Sequence, residues 1–505
     1  LLFGKNIASV VGELPLYTLA MVLFTVASGI VSYHQIRKEY IFPVVGFLLT
    51  IAQVTGLVLF HNSLSQVVVV MFGSALLQLI VMTLLHIFRE QIRVLIVNTM
   101  DFLGLFSRIT ALPFAPQKLR ILIFNWRDTN HVWGGGAEAY IHELAKQWIH
   151  MGHSVTLFCG NDGKTPRNQV VDGVRVIRRG GFYTVYVWAF LYYMVRFRGK
   201  YDVVVDSENG IPFFTPLYVK EPIFLLIHHV HQDVFRIHLT FPLRQIATFI
   251  ESTLMPKAYR NNTVITVSES SKKEILRHNL AREEHIRVVT PGVNIELFEK
   301  REKTEYPSVL YLGRLKAYKN IDVAIRAFAN VYRAYPDAKL VIAGEGEHMS
   351  ELKKTAGALN LNGSVRFTGR VTEKEKLALL ATSWVAVQPS SFEGWSLAVL
   401  EANACGTPVI ASDVYGLRDS VVNNQTGLLV PPRNDHALAE SMELLIANHA
   451  LRKKFSVEAH EWSRSFSWEK SAQDFIEYIT GILQQQKKPI VTQKDRLSLA
   501  EAKNI

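Results

Sequence analysis

The sequence predicts an α/β protein, two doubly wound parallel-sheet domains preceded by an all-α transmembrane segment. Three observations carry that reading. The first ninety or so residues hold three long apolar runs; from Lys118 short apolar strands alternate with amphipathic helices; and the alternation starts afresh at Ser308, after a Pro291-Gly292-Val293-Asn294 break. Strands that alternate with helices pair in parallel and are covered on both faces. At 505 residues, 49% hydrophobic and 20% charged, the chain is too long for one domain and too apolar for disorder.

The apolar runs cover 14–31, 41–60 and 64–88, within the segment 1–92, and each is long enough to cross a bilayer. Arg37 and Lys38 separate the first two, residues 61–66 between the others are uncharged, and Arg89 and Arg93 follow the third. The positive-inside rule then places the first loop and everything after Arg89 in the cytoplasm of a multi-pass membrane protein. Cys159 and Cys405 form neither a disulfide framework nor a zinc spacing, which suits a reducing compartment. The chain opens at Leu1 rather than Met, so upstream residues are expected. Residues 93–117 are a fourth short membrane segment, an interfacial helix or a linker, closed by Pro113 and Pro116.

Residues 118–300 form the first expected α/β domain. Its opening strand, 119–125, leads to Gly134-Gly135-Gly136, which starts a helix through His150. Such a turn lets backbone approach a phosphate, and a plain tight turn is the other reading. Further strands are expected at 154–158, 174–178, 202–205, 223–227 and 264–267, the last of this domain. Residues 223–227 run straight into His228, His229 and His231, at the carboxyl end of a strand, where open α/β sheets bind ligands. Their spacing, with only Asp233 nearby, does not suit a metal. Asn209, in an Asn-Gly-Ile-Pro turn, is placed in a cleft loop by position alone. Lys164, Arg167, Arg175, Arg178, Arg179, Arg196, Arg198 and Lys200 bracket an aromatic helix at 183–197. They read either as solvated flanks of a buried helix or as a surface that docks on anionic lipid. The net charge of +11 comes with no nucleic-acid-binding module, so no nucleic acid is expected as a partner.

Residues 301–467 form the second domain. Strand 309–312 ends in Gly313-Arg314-Leu315-Lys316-Ala317-Tyr318-Lys319. Arg314 and Lys319 sit at a strand-to-helix turn and can both reach a diphosphate, Arg through its planar fork and Lys as a point charge. Strands 340–343 and 365–367 end in turns at Gly344-Glu345-Gly346 and Gly369-Arg370. Residues 387–412 read as strand, loop, helix and strand. Glu393 lies ahead of the helix and Glu401 within it, roughly 12 Å apart along nearly one face. Glycosidase carboxylates stand about 5 to 9.5 Å apart, whereas these two address opposite ends of an elongated ligand. Between them Gly394, Trp395, Ser396 and Leu397 offer N–H groups at a positive helix end, suited to phosphate or sugar hydroxyls. A nucleotide sugar fits that description; an ordinary helix with an acidic N-terminus and one buried Glu paired for structure is the other reading. Residues 468–485 are expected to form a helix crossing back to the first domain, and 486–505 a mobile tail.

The string from Glu393 to Ala411, with a second Glu at Glu401 and the run Ala402-Asn403-Ala404-Cys405-Gly406-Thr407-Pro408-Val409-Ile410-Ala411, resembles the signature of the family 4 retaining glycosyltransferases. The Gly135-Gly136-Ala137-Glu138 and Gly313-Arg314-Leu315…Lys319 elements are similar to further motifs of that family. The resemblance implies a GT-B fold for about 118–483, with two Rossmann-like domains facing a cleft, donor in the second and acceptor in the first. It implies that Glu393 contacts donor-sugar hydroxyls, that Gly394, Trp395, Ser396 and Leu397 hold sugar and diphosphate, and that Glu401 binds the ribose. Gly135 and Gly136 would face the diphosphate, with Arg314 and Lys319 on it and Gly344 and Arg370 lining the base. His228 would be the active-site histidine, with His229 in reserve and His229, His231 and Asn209 on the acceptor side.

The reaction implied is transfer of a sugar from a nucleotide diphosphate to a hydroxyl with retention, on a lipid-linked acceptor in cell-surface polysaccharide synthesis. No Asp-x-Asp clasp occurs in the chain, so no metal or other cofactor is expected. The first 85 or so residues resemble the closing helices of polysaccharide-type lipid-linked oligosaccharide flippases, in LPLYTLAMVLFTVASGIVSYHQIRKEY and HNSLSQVVVV. A transporter with a nucleotide-sugar-binding cytoplasmic part is therefore the alternative, though three helices are too few for a translocation path. A nucleotide-sugar epimerase is a third reading, which the Glu393–Glu401 signature disfavours.

Overall fold

The computed structural model describes residues 7–37, 39–89, 92, 118–298 and 301–487. Lys38, Arg93, the segment 93–117 and residues 488–505 of the expected tail lie outside the described residues. The chain divides into two compact units, Leu1–Arg108 and Ile109–Ile505.

In the first unit, helices Ile7–Ile36, Ile41–Leu59 and Leu64–Ile87 match the three apolar runs, and each is long and apolar enough to cross a membrane. The buried positions include small residues, Ala20, Ala27, Gly46 and Ala75, that let the helices approach. Val22, Phe47 and Leu77 point outward, as they would toward lipid. At one end the His34 ring stacks on Phe42, its Nε2 lies 2.8 Å from His86 Nδ1, and its Nδ1 bonds the Glu39 carboxylate.

The second unit holds two sheets. The first comprises β1 (Arg120–Asn125), β2 (Ser154–Cys159), β3 (Asn168–Val171), β4 (Val174–Arg178), β5 (Val203–Glu208), β6 (Ile223–Ile227), β7 (Thr263–Thr266) and β8 (Ile286–Val288). Their order is β3-β4-β2-β1-β5-β6-β7-β8, and only β3 and β4 are antiparallel. The second sheet comprises β9 (Ser308–Leu312), β10 (Lys339–Ala343), β11 (Val365–Gly369), β12 (Val385–Gln388), β13 (Val409–Ser412) and β14 (Gly427–Val430). It is all parallel, in the order β11-β10-β9-β12-β13-β14. The central strands of both sheets, such as Ile121–Phe124 and Val385–Val387, are buried on both faces, which is why they read as continuous apolar runs.

Three expectations need correction. The strand at 264–267 is not the last of its sheet, because β8 pairs with β7, and its three residues are too few to show a pattern. Strand β3 adds to the expected strands; Asn168-Gln169-Val170-Val171 is a half-exposed edge, without the apolar run that marks a central strand. The basic span around the aromatic helix is in part a buried framework. Arg178 and Arg179 are both fully buried; Arg178 forks onto Asp128 (2.6 and 2.9 Å), and Arg179 donates to Tyr192 Oη at 2.6 Å. Two of the eight cations are thus withdrawn from any lipid-facing surface.

Helix Trp468–Lys487 returns to the first sheet as the sequence predicts. Phe475 meets Trp148 and Phe224 edge-on, Trp148 Nε1 donates to Ala472 O (3.0 Å), and Ser471 Oγ donates to Thr290 O (2.6 Å). The helix therefore contributes to the core of the first sheet while its chain precursor belongs to the second, which fixes the two sheets across the cleft between them.

Candidate active site

Ligands of open parallel sheets sit where the strand order reverses. In the second sheet that point lies between β9 and β12, so the segments after these strands, 313–319 and 389–397, converge. Lys319 Nζ bonds the Glu393 carboxylate, which also accepts from Ser390 Oγ at 3.0 Å. Asn320 Nδ2 donates to Pro389 O (2.9 Å) and Ser391 Oγ (2.7 Å), and Ser391 N–H to Tyr318 O (2.8 Å), so the two loops are tied together.

In the first sheet the order reverses between β1 and β5, and the glycine turn follows β1. Buried Glu138 holds that turn: it accepts from Gly135 N–H (2.7 Å) and pairs with Arg127 Nη2 (2.9 Å). Arg314 reaches across from the second sheet. A Cβ at Gly135 would meet its Cζ at 2.9 Å, and its Nη1 lies 3.4 Å from Trp133 O. A side chain at Gly135 would therefore push the guanidinium out of the cleft. Gly136 faces Leu397 Cδ1 across the same gap, 3.9 Å from where its Cβ would be.

Four cations thus gather here, of which sequence reasoning found two. Burial, opposed by Glu138 and reinforced by the Arg314 charge, lowers the Arg127 pKa; burial, with Arg314 and Arg127 adding, lowers that of Lys316. An anion would relieve the repulsion that adds to burial in those shifts. Arg127 could have been found from its place two residues past the end of a switch-point strand, and Lys316 from lying between Arg314 and Lys319.

The histidine turn closes the floor. His228 is buried, its ring edge-on to Tyr140 at 5.3 Å and its Nε2 without a hydrogen-bond partner. Burial, aided by the neighbouring His229 and His231, lowers its pKa to about 3. His229 is more accessible, and its pKa is lowered by burial, then by His231, Lys319 and Arg314. A Cβ at Gly394 would stand 2.2 Å from His228 O, and Ser271 Oγ donates to His228 O at 3.0 Å, so the histidine turn and the Glu393 loop touch through backbone.

Ser396 precedes helix Leu397–Ala404 without a side-chain cap, leaving the helix end to its own N–H groups. The Trp395 indole packs on Phe466 (5.3 Å), away from the cleft, so this residue has only backbone to offer a ligand. Glu401, whose pKa burial raises against the pull of Lys376, pairs with Lys376 Nζ at 2.7 Å. Gly344 follows β10 and its N–H donates to Gly369 O (2.9 Å), and Arg370 is exposed beyond β11. Asn209 Nδ2 donates to Asn125 Oδ1 (2.7 Å) at the first switch point, while His231 turns under the histidine loop toward Glu208 and Glu251. The structure therefore gathers Gly135, Gly136, Arg314, Lys319, Glu393, Gly394, Leu397 and the His228–His229 turn; His231 packs its ring on His229 at 4.1 Å, while Glu401 pairs with Lys376 and Arg370 is exposed beyond β11.

Two parallel sheets whose switch points face one another across a cationic cleft define the GT-B class of glycosyltransferase folds. Comparison with known proteins agrees: residues 293–462 match the family of glycosyl transferases group 1, and residues 134–297 match glycosyltransferase family 4. Over 384 residues the chain is 27% identical to a glycogen synthase of Mycobacterium tuberculosis, covering 70% of this chain and 92% of that protein. It is 29% identical over 232 residues to the D-inositol 3-phosphate glycosyltransferase of Corynebacterium glutamicum, covering 42% of this chain and 56% of that one. Among solved structures it superposes on a sucrose-phosphate synthase of Thermosynechococcus elongatus with a TM-score of 0.63 at 22% identity, covering 73% of this chain and 100% of that one. It superposes on Anabaena HepE, solved with UDP-glucose, with a TM-score of 0.58 at 17% identity, covering 72% and 100%. The two-sheet unit is a glycosyltransferase of GT-B fold.

Proposed function

We propose that the protein is a membrane-anchored retaining glycosyltransferase that moves a sugar from a nucleotide diphosphate to a hydroxyl of a lipid-linked glycan in cell-surface polysaccharide synthesis. The observation that carries this is the meeting of Arg314, Lys319 and Glu393 with an uncapped helix end at one switch point. The diphosphate lies on Arg314 and Lys319 and on the N–H groups of residues 394–397, with Arg127 and Lys316 adding to the field. Glu393 accepts from hydroxyls of the donor sugar, Glu401 from the ribose, and the imidazole of the 228–229 turn that faces the cations, His229, borders the transferred sugar. As the bond from the anomeric carbon to the phosphate oxygen breaks, the cations stabilise the charge left on the diphosphate, usually the largest catalytic term. The acceptor oxygen bonds to the same face of that carbon, and its proton passes to the departing phosphate oxygen, which gives retention. The cations do the work of a diphosphate-bound metal, so transfer needs no divalent ion in the assay. The UDP-glucose held by HepE supports a nucleotide sugar as donor. The three apolar helices anchor the chain, and the charges Arg37 and Arg89 favour a cytoplasmic catalytic part.

The test is a screen of nucleotide sugars against membranes containing the protein, with and without divalent ion. Nucleoside diphosphate release with transfer to a lipid-extractable product is expected. Turnover without sugar transfer to any lipid fraction would reject the acceptor, and no turnover with any nucleotide sugar would reject the donor.

A further inference from the structure

Beneath the histidine turn lies a cluster that transfer does not use. Glu208 ends β5, His231 follows β6, and Glu251 projects from the helical turn Ile250–Leu254. Glu208 and Glu251 are fully buried, and His231 is 9% exposed. His231 Nδ1 stands 3.4 Å from Glu208 Oε1 and 3.5 Å from Glu251 Oε1, yet Nδ1 and both carboxylate Oε2 atoms have no hydrogen-bond partner. One ligand atom from each of the three residues falls within 4.8 Å of the others.

Two ligands bound about 2.1 Å from one tetrahedral ion stand about 3.4 Å apart, which is the spacing from His231 Nδ1 to each carboxylate. The carboxylates are also aimed: Gly210 N–H donates to Glu208, and His231 N–H donates to Glu251 Oε1 at 2.6 Å. Backbone bonds of this kind fix the ligands of metal sites. The charges acting on Glu208 are those of Glu251 and Asp206, all of one sign, so two buried carboxylates face each other with one imidazole between them. A divalent cation would cancel their charge. We propose that Glu208, His231 and Glu251 bind one divalent cation of the zinc class, which ties β5, β6 and the 250–254 turn together and so holds the 228–231 turn in place. Its ligands lie outside the Arg314–Lys319 cluster, and the inference stands whether or not the glycosyltransfer reading holds. In the sequence these histidines, with only Asp233 nearby, do not suit a metal; the carboxylates that meet His231 come from 23 residues before and 20 after it.

The full chain, purified in detergent, is stripped with chelator, refilled with Zn2+ or Co2+, and passed through a desalting column. About one ion retained per chain is expected, with the strong visible absorption of four-coordinate Co2+ and a higher melting temperature than the stripped protein. Glu208→Gln, Glu251→Gln and His231→Gln should each lose the ion and the thermal shift. Because the two Glu→Gln variants remove a buried charge and keep the shape, they are expected to fold; if one variant does not, the wild-type Co2+ spectrum still decides. Wild-type protein that retains no ion, a spectrum like that of aqueous Co2+, or variants that retain the ion as well as wild type would each overturn the proposal.

Discussion

Replacing Arg314 with Ala separates the electrostatic account from a merely structural one. In the structure Arg314 lies over Gly135 with one weak contact, Nη1 to Trp133 O at 3.4 Å, so its loss leaves no buried group unsatisfied and should change stability by no more than about 0.5 kcal/mol. It also frees Arg127 and Lys316 of a like charge. A diphosphate, by contrast, loses a charge-assisted hydrogen bond worth about 1.5 to 3 kcal/mol, which is roughly ten- to over a hundredfold in kcat/KM. Arg314→Lys keeps the charge without the fork and should fall between the two. The assay is nucleoside diphosphate release at subsaturating donor, beside a thermal melt of each variant. Lys319→Ala is the informative partner, since it also strands Glu393 with only Ser390, and should lose both turnover and some stability. Wild-type kcat/KM in Arg314→Ala, or a fall matched by unfolding, would refute the reasoning.

Glu393→Gln should mainly lower kcat and Glu401→Gln mainly raise donor KM if, as proposed, the first faces the reacting sugar and the second the ribose; initial rates against donor concentration decide, and the opposite pattern would mean the ligand lies reversed along the helix. Gly394→Ala puts a methyl 2.2 Å from the His228 carbonyl, a backbone contact that no rotamer relieves. It should cost about 1 to 3 kcal/mol and, by displacing the loop on the order of 1 Å, about a hundredfold in rate, measured by melting and by turnover; near-normal activity would show that the two loops need not touch. On sealed, right-side-out vesicles the region after Arg89 should resist protease until the membrane is permeabilised, and cleavage before that would overturn the cytoplasmic orientation and with it the lipid-linked acceptor.

What was legible in the sequence was mostly local. The central strands announce themselves because burial on both faces demands unbroken apolar runs, and the Glu393 helix because Gly406 and Pro408 end it within a few residues. Long-range pairing is where the reading stopped. Arg178 looked like surface charge because its partner, Asp128, lies fifty residues upstream, and Lys319 and Glu393 are 74 apart in sequence. The choice between His228 and His229 depends on which way the chain turns after β6. No periodicity encodes that, and the structure turns His228 onto Tyr140 while His229 keeps the charges of Lys319 and Arg314 for neighbours. Glu208 and Glu251 carried no signal at all until the fold brought them to His231.

The central claim is transfer from a nucleotide sugar with retention, and the measurement that tests it most directly is proton NMR of the transferred sugar's anomeric centre during turnover. The account predicts that the glycosidic product shows the same anomeric configuration as the donor. An inverted product would contradict the same-face mechanism, whatever the donor proves to be.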